Sequence, residues 1–174
     1  MNKKPSLLLK CATAALLAFG AVAAFSNSSP AQSPVNRYYC DTSDGLPATM
    51  YTDGEANSPL IRWKYEGFGS RWTPQKRCEE VARRFQNYEN EGTLEFITTG
   101  QMNGYNVVCV ARYDGGSCGD RLLMTLPPDR DPDLALESLF NVVGVYENND
   151  PRSLHDGRLY IDVDNLIYHR RNSR

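Results

Sequence analysis

The clearest hydrophobic pattern in the chain follows Thr73-Pro74, a residue pair typical of a helix N-terminus. After this pair, apolar residues recur at helical spacing and form one stripe, which consists of Cys78, Val81, Ala82, Phe85 and Tyr88. Gly92 follows the stripe and is typical of a helix C-terminus. The pattern predicts a helix that begins at Pro74 and closes at Gly92, with the Cys78 side chain directed into the core.

Two apolar stretches after this helix predict a β-hairpin. Leu94–Gln101 and Asn106–Arg112 flank Asn103-Gly104, a dipeptide that favours the positive φ angles of a two-residue turn. In this register Thr98 faces Cys109. Alternation along the strands then places Ile97, Val108 and Val110 on one face, and Phe96, Thr98, Val107 and Cys109 on the other.

Shorter patterns predict the rest of an α+β fold. The other expected strands are Tyr38–Cys40, Ala48–Thr52, Leu60–Tyr65, Arg121–Leu126 and a late strand with Leu159, Ile161 and Val163. Asp131-Pro132 predicts a second helix that Gly144 stops, because it repeats the Thr73-Pro74 arrangement. The buried stripe of that helix is expected to be Leu136, Leu139, Phe140 and Val143. We expect a mainly antiparallel sheet with two helices.

The N-terminal region has the pattern of an export signal. Lys3 and Lys4 precede an Ala-rich apolar run, and Ala21-Val22-Ala23 is typical of a cleavage site. Lys10 interrupts the run, and the apolar residues after it fall short of the ~20 that span a bilayer. The predicted organisation is a signal peptide and cleavage region at 1–31, a flexible lead-in at 32–36, a single α+β domain at 37–146 and a C-terminal extension at 147–174.

The charge balance argues against nucleic acid as a partner. The full chain has 19 basic and 21 acidic residues, and loss of the three lysines of the signal peptide leaves 16 basic residues and a net charge of −5. A domain that binds nucleic acid carries an excess of Lys and Arg instead.

The cysteines outside the signal peptide predict two disulfides. They are Cys40, Cys78, Cys109 and Cys118. An even number in an exported chain favours disulfides, because that compartment lacks reducing thiol buffers. Zinc is the weaker interpretation, since no Cys-x-x-Cys pair is present and both His155 and His169 lie far along the chain.

The pairing of the cysteines depends on which face of the hairpin the first helix covers. If the helix covers the face with Val108, Cys109 points away from it, which favours a bond between Cys109 and Cys40. Cys78 is then left for Cys118. If the helix covers the other face, a bond between Cys78 and Cys109 becomes natural. We favour the first pairing among the three connectivities.

An aromatic cluster before the first helix is the candidate binding surface. It consists of Trp63, Tyr65, Phe68 and Trp72. With the glycines and arginines between them, these residues could dock a sugar, a lipid headgroup or a partner through stacking and cation–π contacts. Packing over the core beside the helix N-terminus is the competing interpretation, and the one that we favour.

Acidic residues in the second half of the chain resemble metal ligands only superficially. Asp129, Asp131 and Asp133 alternate as calcium ligands do, but Leu134 stands where an EF-hand loop requires glycine. Helix capping is therefore the expected role. Asp162 and Asp164 are expected on the solvated side of the late strand. We predict no metal and no cofactor.

A histidine beside an acidic residue, His155-Asp156, is the one sequence feature that suggests a hydrolase. Adjacent residues on a loop are poor evidence for a catalytic triad, and the sequence lacks the Gly-x-Ser-x-Gly motif of a nucleophile elbow. We therefore predict no catalytic residue.

Three motifs carry a resemblance to a known family. They are Trp-x-Pro-x-x-Arg-Cys at 72–78, Thr-Gly-x-x-Asn-Gly at 99–104 and Leu-Leu-x-Thr-Leu at 122–126. With the sequence around them, from Tyr39 to Val143, they resemble the cyanobacterial circadian oscillating protein family. The resemblance implies an exported, membrane-associated protein whose abundance follows the circadian clock, with no established catalytic activity. It supplies no active-site residues, and it is weakest from Asn148 onward.

The expected function is that of a non-catalytic envelope or lumenal protein in the periplasm or thylakoid lumen. It would associate peripherally with a membrane surface or a membrane protein, with the aromatic cluster as the candidate contact. Two alternatives remain. A small periplasmic hydrolase would require His155 or the aspartates to converge in a pocket, and a carbohydrate- or lipid-binding module would use the aromatic cluster.

Overall fold

The computed structural model describes residues 35–142 and 150–172, and the fold is α+β, as the sequence predicts. Within these residues, three helices accompany a three-stranded and a five-stranded antiparallel sheet. The predicted signal peptide, residues 1–31, and the first part of the lead-in, residues 32–34, lie outside the described residues. Among the helices of the described ranges, none combines the length and the apolar character needed to cross a membrane.

The three-stranded sheet is a meander. Its strands β1, β2 and β3 span Tyr38–Ser43, Leu46–Thr52 and Asn57–Arg62. Asp44 and Gly45 form the tight turn between β1 and β2, with φ angles of 52° and 75°, as their residue types predict. The third strand ends before Tyr65, its predicted end, because residues 63–73 leave the sheet as the loop that leads into the first helix.

The first helix, α1, spans Pro74–Asn90 and matches its prediction. The Thr73 hydroxyl accepts a hydrogen bond from the Lys76 amide at 3.3 Å and caps the N-terminus. Gly92, with φ of 62°, lets the chain leave the helix. The helix buries one stripe, which consists of Cys78, Val81, Ala82, Phe85 and Gln86.

The five-stranded sheet is built on the predicted hairpin. Strands β4, β5 and β6 span Phe96–Met102, Tyr105–Ala111 and Leu122–Thr125. Asn103 and Gly104 adopt φ angles of 53° and 79°, so the turn has two residues with positive φ. The predicted register is confirmed, because Thr98 pairs with Cys109.

The second helix, α2, spans Pro132–Phe140 and is shorter than predicted. Asp131 caps its N-terminus by accepting a hydrogen bond from the Leu134 amide at 2.9 Å. Asn141 ends the helix in the left-handed conformation, with φ of 45°. Val143 and Gly144, which were expected in the stripe and at the stop of this helix, lie outside the described residues.

The last strands belong to the five-stranded sheet. β7, Arg152–His155, and β8, Arg158–Asp162, form a hairpin, and β8 pairs with β4 in the strand order β6-β5-β4-β8-β7. The late strand predicted in the C-terminal extension, 147–174, therefore belongs to the same sheet as β4.

A third helix, α3, spans Val163–Asn172 and was not predicted. Val163 begins this helix and does not continue the late strand. The chain turns from strand to helix here because the Asp162 carboxylate accepts a hydrogen bond from the Asn165 amide at 2.8 Å and caps the helix. The alternation that predicted the strand stops at this cap.

The two faces of the β4–β5 hairpin contact different surroundings. Ile97, Val108 and Val110 pack in the main core with the buried stripe of α1. Cys109 lies on the other face, in a small separate cluster with Val107 and Cys118. The first of the two predicted orientations is therefore the correct one.

The predicted disulfide pairing is nevertheless wrong. Cys40 pairs with Cys78, and Cys109 pairs with Cys118, with a Cα–Cα distance of 5.5 Å in both cases. The favoured pairing of Cys40 with Cys109 and Cys78 with Cys118 would require both bonds to pass through the sheet. Helix α1 instead packs against β1 and brings Cys78 to Cys40 on the core side.

The partner of Cys109 comes from the connection between β5 and β6. That segment folds back over the outer face of the hairpin, where Arg121 Nε donates a hydrogen bond to the Val110 carbonyl at 3.1 Å. Cys118 thereby lies beside Cys109 on that face. The sequence pattern does not predict over which face of the hairpin this connection lies. It therefore does not favour the bond between Cys109 and Cys118.

Candidate functional site

Arg77, in the first turn of α1, organises the loop that carries the aromatic cluster. Its Nε donates a hydrogen bond to the Trp72 carbonyl at 3.3 Å, and a second guanidinium nitrogen donates to the Tyr65 carbonyl. The guanidinium also lies 5.1 Å from the Trp63 ring centroid and 4.8 Å from that of Phe68. Two carbonyls and two rings around one cation hold the loop against the helix.

Among residues 35–142 and 150–172, Arg77 has no acidic partner. Burial lowers the pKa of the guanidinium. Carbonyl oxygens and ring faces stabilise the cation but do not neutralise it. The site therefore presents a partly buried positive charge.

The four predicted aromatic residues have different environments. Trp63 is 2% exposed, and its Nε1 donates a hydrogen bond to the Thr49 hydroxyl at 3.0 Å, so its indole belongs to the core. Tyr65 and Trp72 are 48% and 43% exposed. Phe68 is partly buried and meets the Tyr65 ring edge-on, with 5.6 Å between the centroids. The cluster therefore combines one core residue, Trp63, with two exposed rings, those of Tyr65 and Trp72.

A cleft of about 440 Å³ separates this loop from α2. Its apolar walls include Trp63, Tyr65, Phe68, Met124, Leu126, Leu134, Ala135 and Leu139. The Arg130 guanidinium lies 5.8 Å from the centroid of the Tyr65 ring. Asp129 and Asp131 also line the cleft. The volume and the largely apolar walls are typical of a small-molecule site, for which ~300–1,000 Å³ is usual.

The aspartates have structural roles or lie at the edge of this cleft. Asp131 caps α2, and Asp133 accepts a hydrogen bond from the Thr99 hydroxyl at 3.0 Å. Asp162 caps α3, so it does not lie on a solvated strand face as predicted. In residues 35–142 and 150–172, no group of three His, Cys, Asp or Glu side chains is placed to hold a metal ion.

His155 contacts the carboxylate of Asp114, not that of its sequence neighbour Asp156, and the same carboxylate accepts a hydrogen bond from a serine hydroxyl. The Ser153 hydroxyl donates a hydrogen bond to Asp114, and His155 Nε2 lies 2.8 Å from the other oxygen of that carboxylate. Partial burial by itself would raise the pKa of Asp114, but the bonds from Ser153 and His155 outweigh it and lower that pKa. The carboxylate therefore joins β7 to the β5–β6 connection.

This arrangement differs from that of a catalytic triad. A nucleophilic serine must contact the imidazole that accepts its proton. Here the Ser153 hydroxyl donates to Asp114, and the imidazole contacts the carboxylate at the other oxygen. The three residues form a structural link between two segments, and the serine is not activated.

The sequence predicts the aromatic wall of the cleft but not the opposite wall, which α2 and the segment before it supply. Leu134 and Arg130 reach the site only because α2 packs beside the loop. The motif at 72–78 contains Arg77, but the sequence predicts no structural role for it. Its position three residues after Pro74, beside an aromatic cluster, was the available signal for a cation–π contact.

One family model matches the chain. It is described as circadian oscillating protein COP23, and it matches residues 37–168. The match runs from the start of β1 into α3, so it extends beyond Val143, where the resemblance carried by the sequence motifs ends. No curated protein and no solved structure matches the chain.

Proposed function

Because the chain belongs to the circadian oscillating protein COP23 family, we propose that it is an exported, non-catalytic protein of the periplasm or thylakoid lumen that associates peripherally with membranes. The contact surface in this proposal is the aromatic rim, which we define as Tyr65 and Trp72 with the loop between them. The exposure of these two rings is the observation that carries the proposal.

The composition of the aromatic rim suits a membrane interface. Tyr and Trp combine an apolar ring with a polar group, which favours the headgroup region of a bilayer. Lys64, Arg71 and Arg130 are exposed near the rings. Cations near a membrane surface are attracted to anionic lipids, at about 1 kcal/mol each. Glu66, Asp129 and Asp131 are exposed beside these cations, so the rings, and not a net positive charge of this face, supply the main contact in this proposal.

The attachment of the rim to the domain supports binding. Arg77 donates hydrogen bonds to the carbonyls of Tyr65 and Trp72. The loop is therefore ordered before it contacts a membrane. A loop ordered in advance loses less conformational entropy when it binds.

Export is supported by the disulfides and by the N-terminal sequence pattern. Both bonds join residues inside the domain, and such bonds persist in oxidising compartments. The non-catalytic part of the proposal is supported by the geometry at Asp114, where the hydroxyl of Ser153 is bound to a carboxylate and not to His155.

Tryptophan fluorescence with vesicles tests the membrane contact, because the chain has only two tryptophans. We expect co-sedimentation with vesicles that contain phosphatidylglycerol, a blue shift of the Trp72 emission, and quenching by brominated lipids. The Trp72→Phe variant retains only the buried Trp63, and its emission is expected not to change. Release by high salt would identify the attachment as peripheral.

A matched pair of variants controls for non-specific adsorption. Tyr65→Ala is expected to weaken vesicle binding, whereas Tyr105→Ala is not, since Tyr105 is also exposed, at 60% against 48%, but lies at the turn end of β5. Equal losses in both variants, or no binding at low salt, would contradict the proposal. Turnover of model esters that is lost in Ser153→Ala and His155→Ala would favour the hydrolase instead.

A further inference from the structure

A second recess lies beside the cleft and concentrates positive charge. Its volume is about 520 Å³, and its charged lining residues are Asp44, Arg62, Lys64, Arg77 and Arg170. Four cationic side chains and one carboxylate line this recess, in a chain whose net charge is −2. We call this the basic recess.

Two cations of the recess, Lys64 and Arg77, have no acidic partner among residues 35–142 and 150–172. Asp44 pairs with Arg62, with 2.9 Å between Oδ2 and Nε. Asn141 also lines the recess and supplies amide hydrogen-bond donors. Two cations and an amide at one concave surface are suited to an anion with several oxygens.

The basic recess and the apolar cleft share a wall. Tyr65, Arg77 and Leu139 line both of them. Two carboxylates, those of Asp129 and Asp131, line the cleft, whereas only that of Asp44 lines the recess, where it pairs with Arg62. An anion is therefore favoured in the recess, whereas the cleft offers mainly apolar surface.

From this juxtaposition we infer that the protein binds one molecule of an anionic lipid. The headgroup lies in the basic recess near Lys64 and Arg77, and the acyl chain lies in the cleft against Leu134 and Leu139. The inference rests on the proposed membrane association, to which it adds a lipid class and a one-to-one site.

A lipid fits this surface better than a free anion does. A free phosphate would use only the basic recess and leave the apolar walls of the cleft in water, although burial of apolar surface is favourable. A bilayer surface is flat, whereas the recess and the cleft are concave and each has the volume of a small-molecule site, ~300–1,000 Å³. A single lipid molecule can place its headgroup in the basic recess and its acyl chain in the cleft.

Calorimetric titration with monomeric lysolipids tests the inference. The protein is expressed with its full N-terminal sequence, purified as the host processes it, and titrated with lysophosphatidylglycerol below its critical micelle concentration. We expect one molecule bound per chain. Lysophosphatidylcholine of the same chain length, and glycerol 3-phosphate without a chain, are each expected to bind at least about tenfold more weakly.

Two variants with matched controls locate the headgroup and the chain. Lys64→Ala is expected to weaken lysophosphatidylglycerol binding about fivefold, the effect of one cation near an anionic lipid. Lys76→Ala removes an exposed lysine that does not line the recess and is expected to change nothing. Leu134→Asp is expected to abolish binding, whereas Leu154→Asp is not, although both leucines are similarly exposed at 66% and 68%.

The outcomes separate this inference from the proposed function. Equal affinity for both lysolipids would overturn the headgroup site, and equal affinity for glycerol 3-phosphate would overturn the acyl site. Vesicle binding that depends on Trp72, without binding of any lysolipid, would overturn this inference but retain the membrane proposal. Loss of vesicle binding as well would overturn both. Unfolding curves for each variant verify that the fold is retained.

Discussion

Gly100 lies directly beneath the sulfur of Cys118. A Cβ atom at position 100 would lie 2.5 Å from Cys118 Sγ, much closer than a van der Waals contact allows. The glycine of the Thr-Gly-x-x-Asn-Gly motif is therefore required by the second disulfide, which packs against β4. The motif combines this close approach at Gly100 with a turn at Asn103 and Gly104.

Gly100→Ala is expected to destabilise the protein by about 1–3 kcal/mol, because the new methyl group must displace a buried disulfide. Urea unfolding followed by circular dichroism measures the change. The same substitution in a Cys109→Ala, Cys118→Ala background is expected to cost much less, since the sulfur is gone. An equal cost in both backgrounds would contradict the packing role.

Tryptic digestion without reduction is expected to yield two linked peptide pairs. The bond between Cys40 and Cys78 joins residues 38–62 to 78–83, and the bond between Cys109 and Cys118 joins residues 85–112 to 113–121. Mass spectrometry before and after reduction identifies them. A linked pair of residues 38–62 and 85–112 would show that the cysteines pair otherwise.

The two disulfides are expected to contribute unequally to stability. They close segments with sequence separations of 38 and 9 residues. Loop entropy in the unfolded chain then predicts losses of about 4 kcal/mol for Cys40→Ala, Cys78→Ala and about 2.5 kcal/mol for Cys109→Ala, Cys118→Ala. Urea midpoints and slopes give both values. The reverse order would contradict the loop-entropy account.

Trp63→Phe and Trp72→Phe are expected to differ in their effects on folding. The first substitution leaves the buried Thr49 hydroxyl without its donor, at a cost of about 1–3 kcal/mol. The second affects a half-exposed side chain and should stay within about 0.5 kcal/mol. Denaturation followed by circular dichroism measures both. Addition of Thr49→Val to Trp63→Phe should recover part of the loss, and an equal loss in the two single variants would contradict this account.

The link at Asp114 is expected to weaken in acid. Its pKa in the folded protein lies below the ordinary value of 3.8, so the carboxylate contributes stability above that pH, and the contribution is lost as the pH falls through the folded pKa. Asp114→Asn should therefore flatten the dependence of unfolding free energy on pH below about 4. Asp129→Asn is the control, since the ion pairs of the described residues do not include Asp129. If the unfolding free energies of the wild type and Asp114→Asn depended on pH in the same way in acid, this role would be excluded.

Local patterns in the sequence predicted most elements of the fold. The Thr73-Pro74 start of α1, the Asn103-Gly104 turn and the pairing of Thr98 with Cys109 were all correct. Each depends on backbone geometry within a few residues, such as a capping hydroxyl or a positive φ angle. Where a second local signal intervened, as the Asp162 cap did, the late pattern changed from strand to helix.

The sequence by itself determined the elements, the inward direction of Cys78 and the presence of an aromatic cluster before α1. Tertiary structure alone decided that Cys78 meets Cys40, that Trp63 is buried while Tyr65 and Trp72 remain exposed, and that α2 completes a cleft beside them. The physical reason is the separation along the chain of the residues that interact. Caps and turns are satisfied by neighbouring residues, whereas disulfide partners and cleft walls depend on how distant segments pack, which periodicity along the chain does not specify.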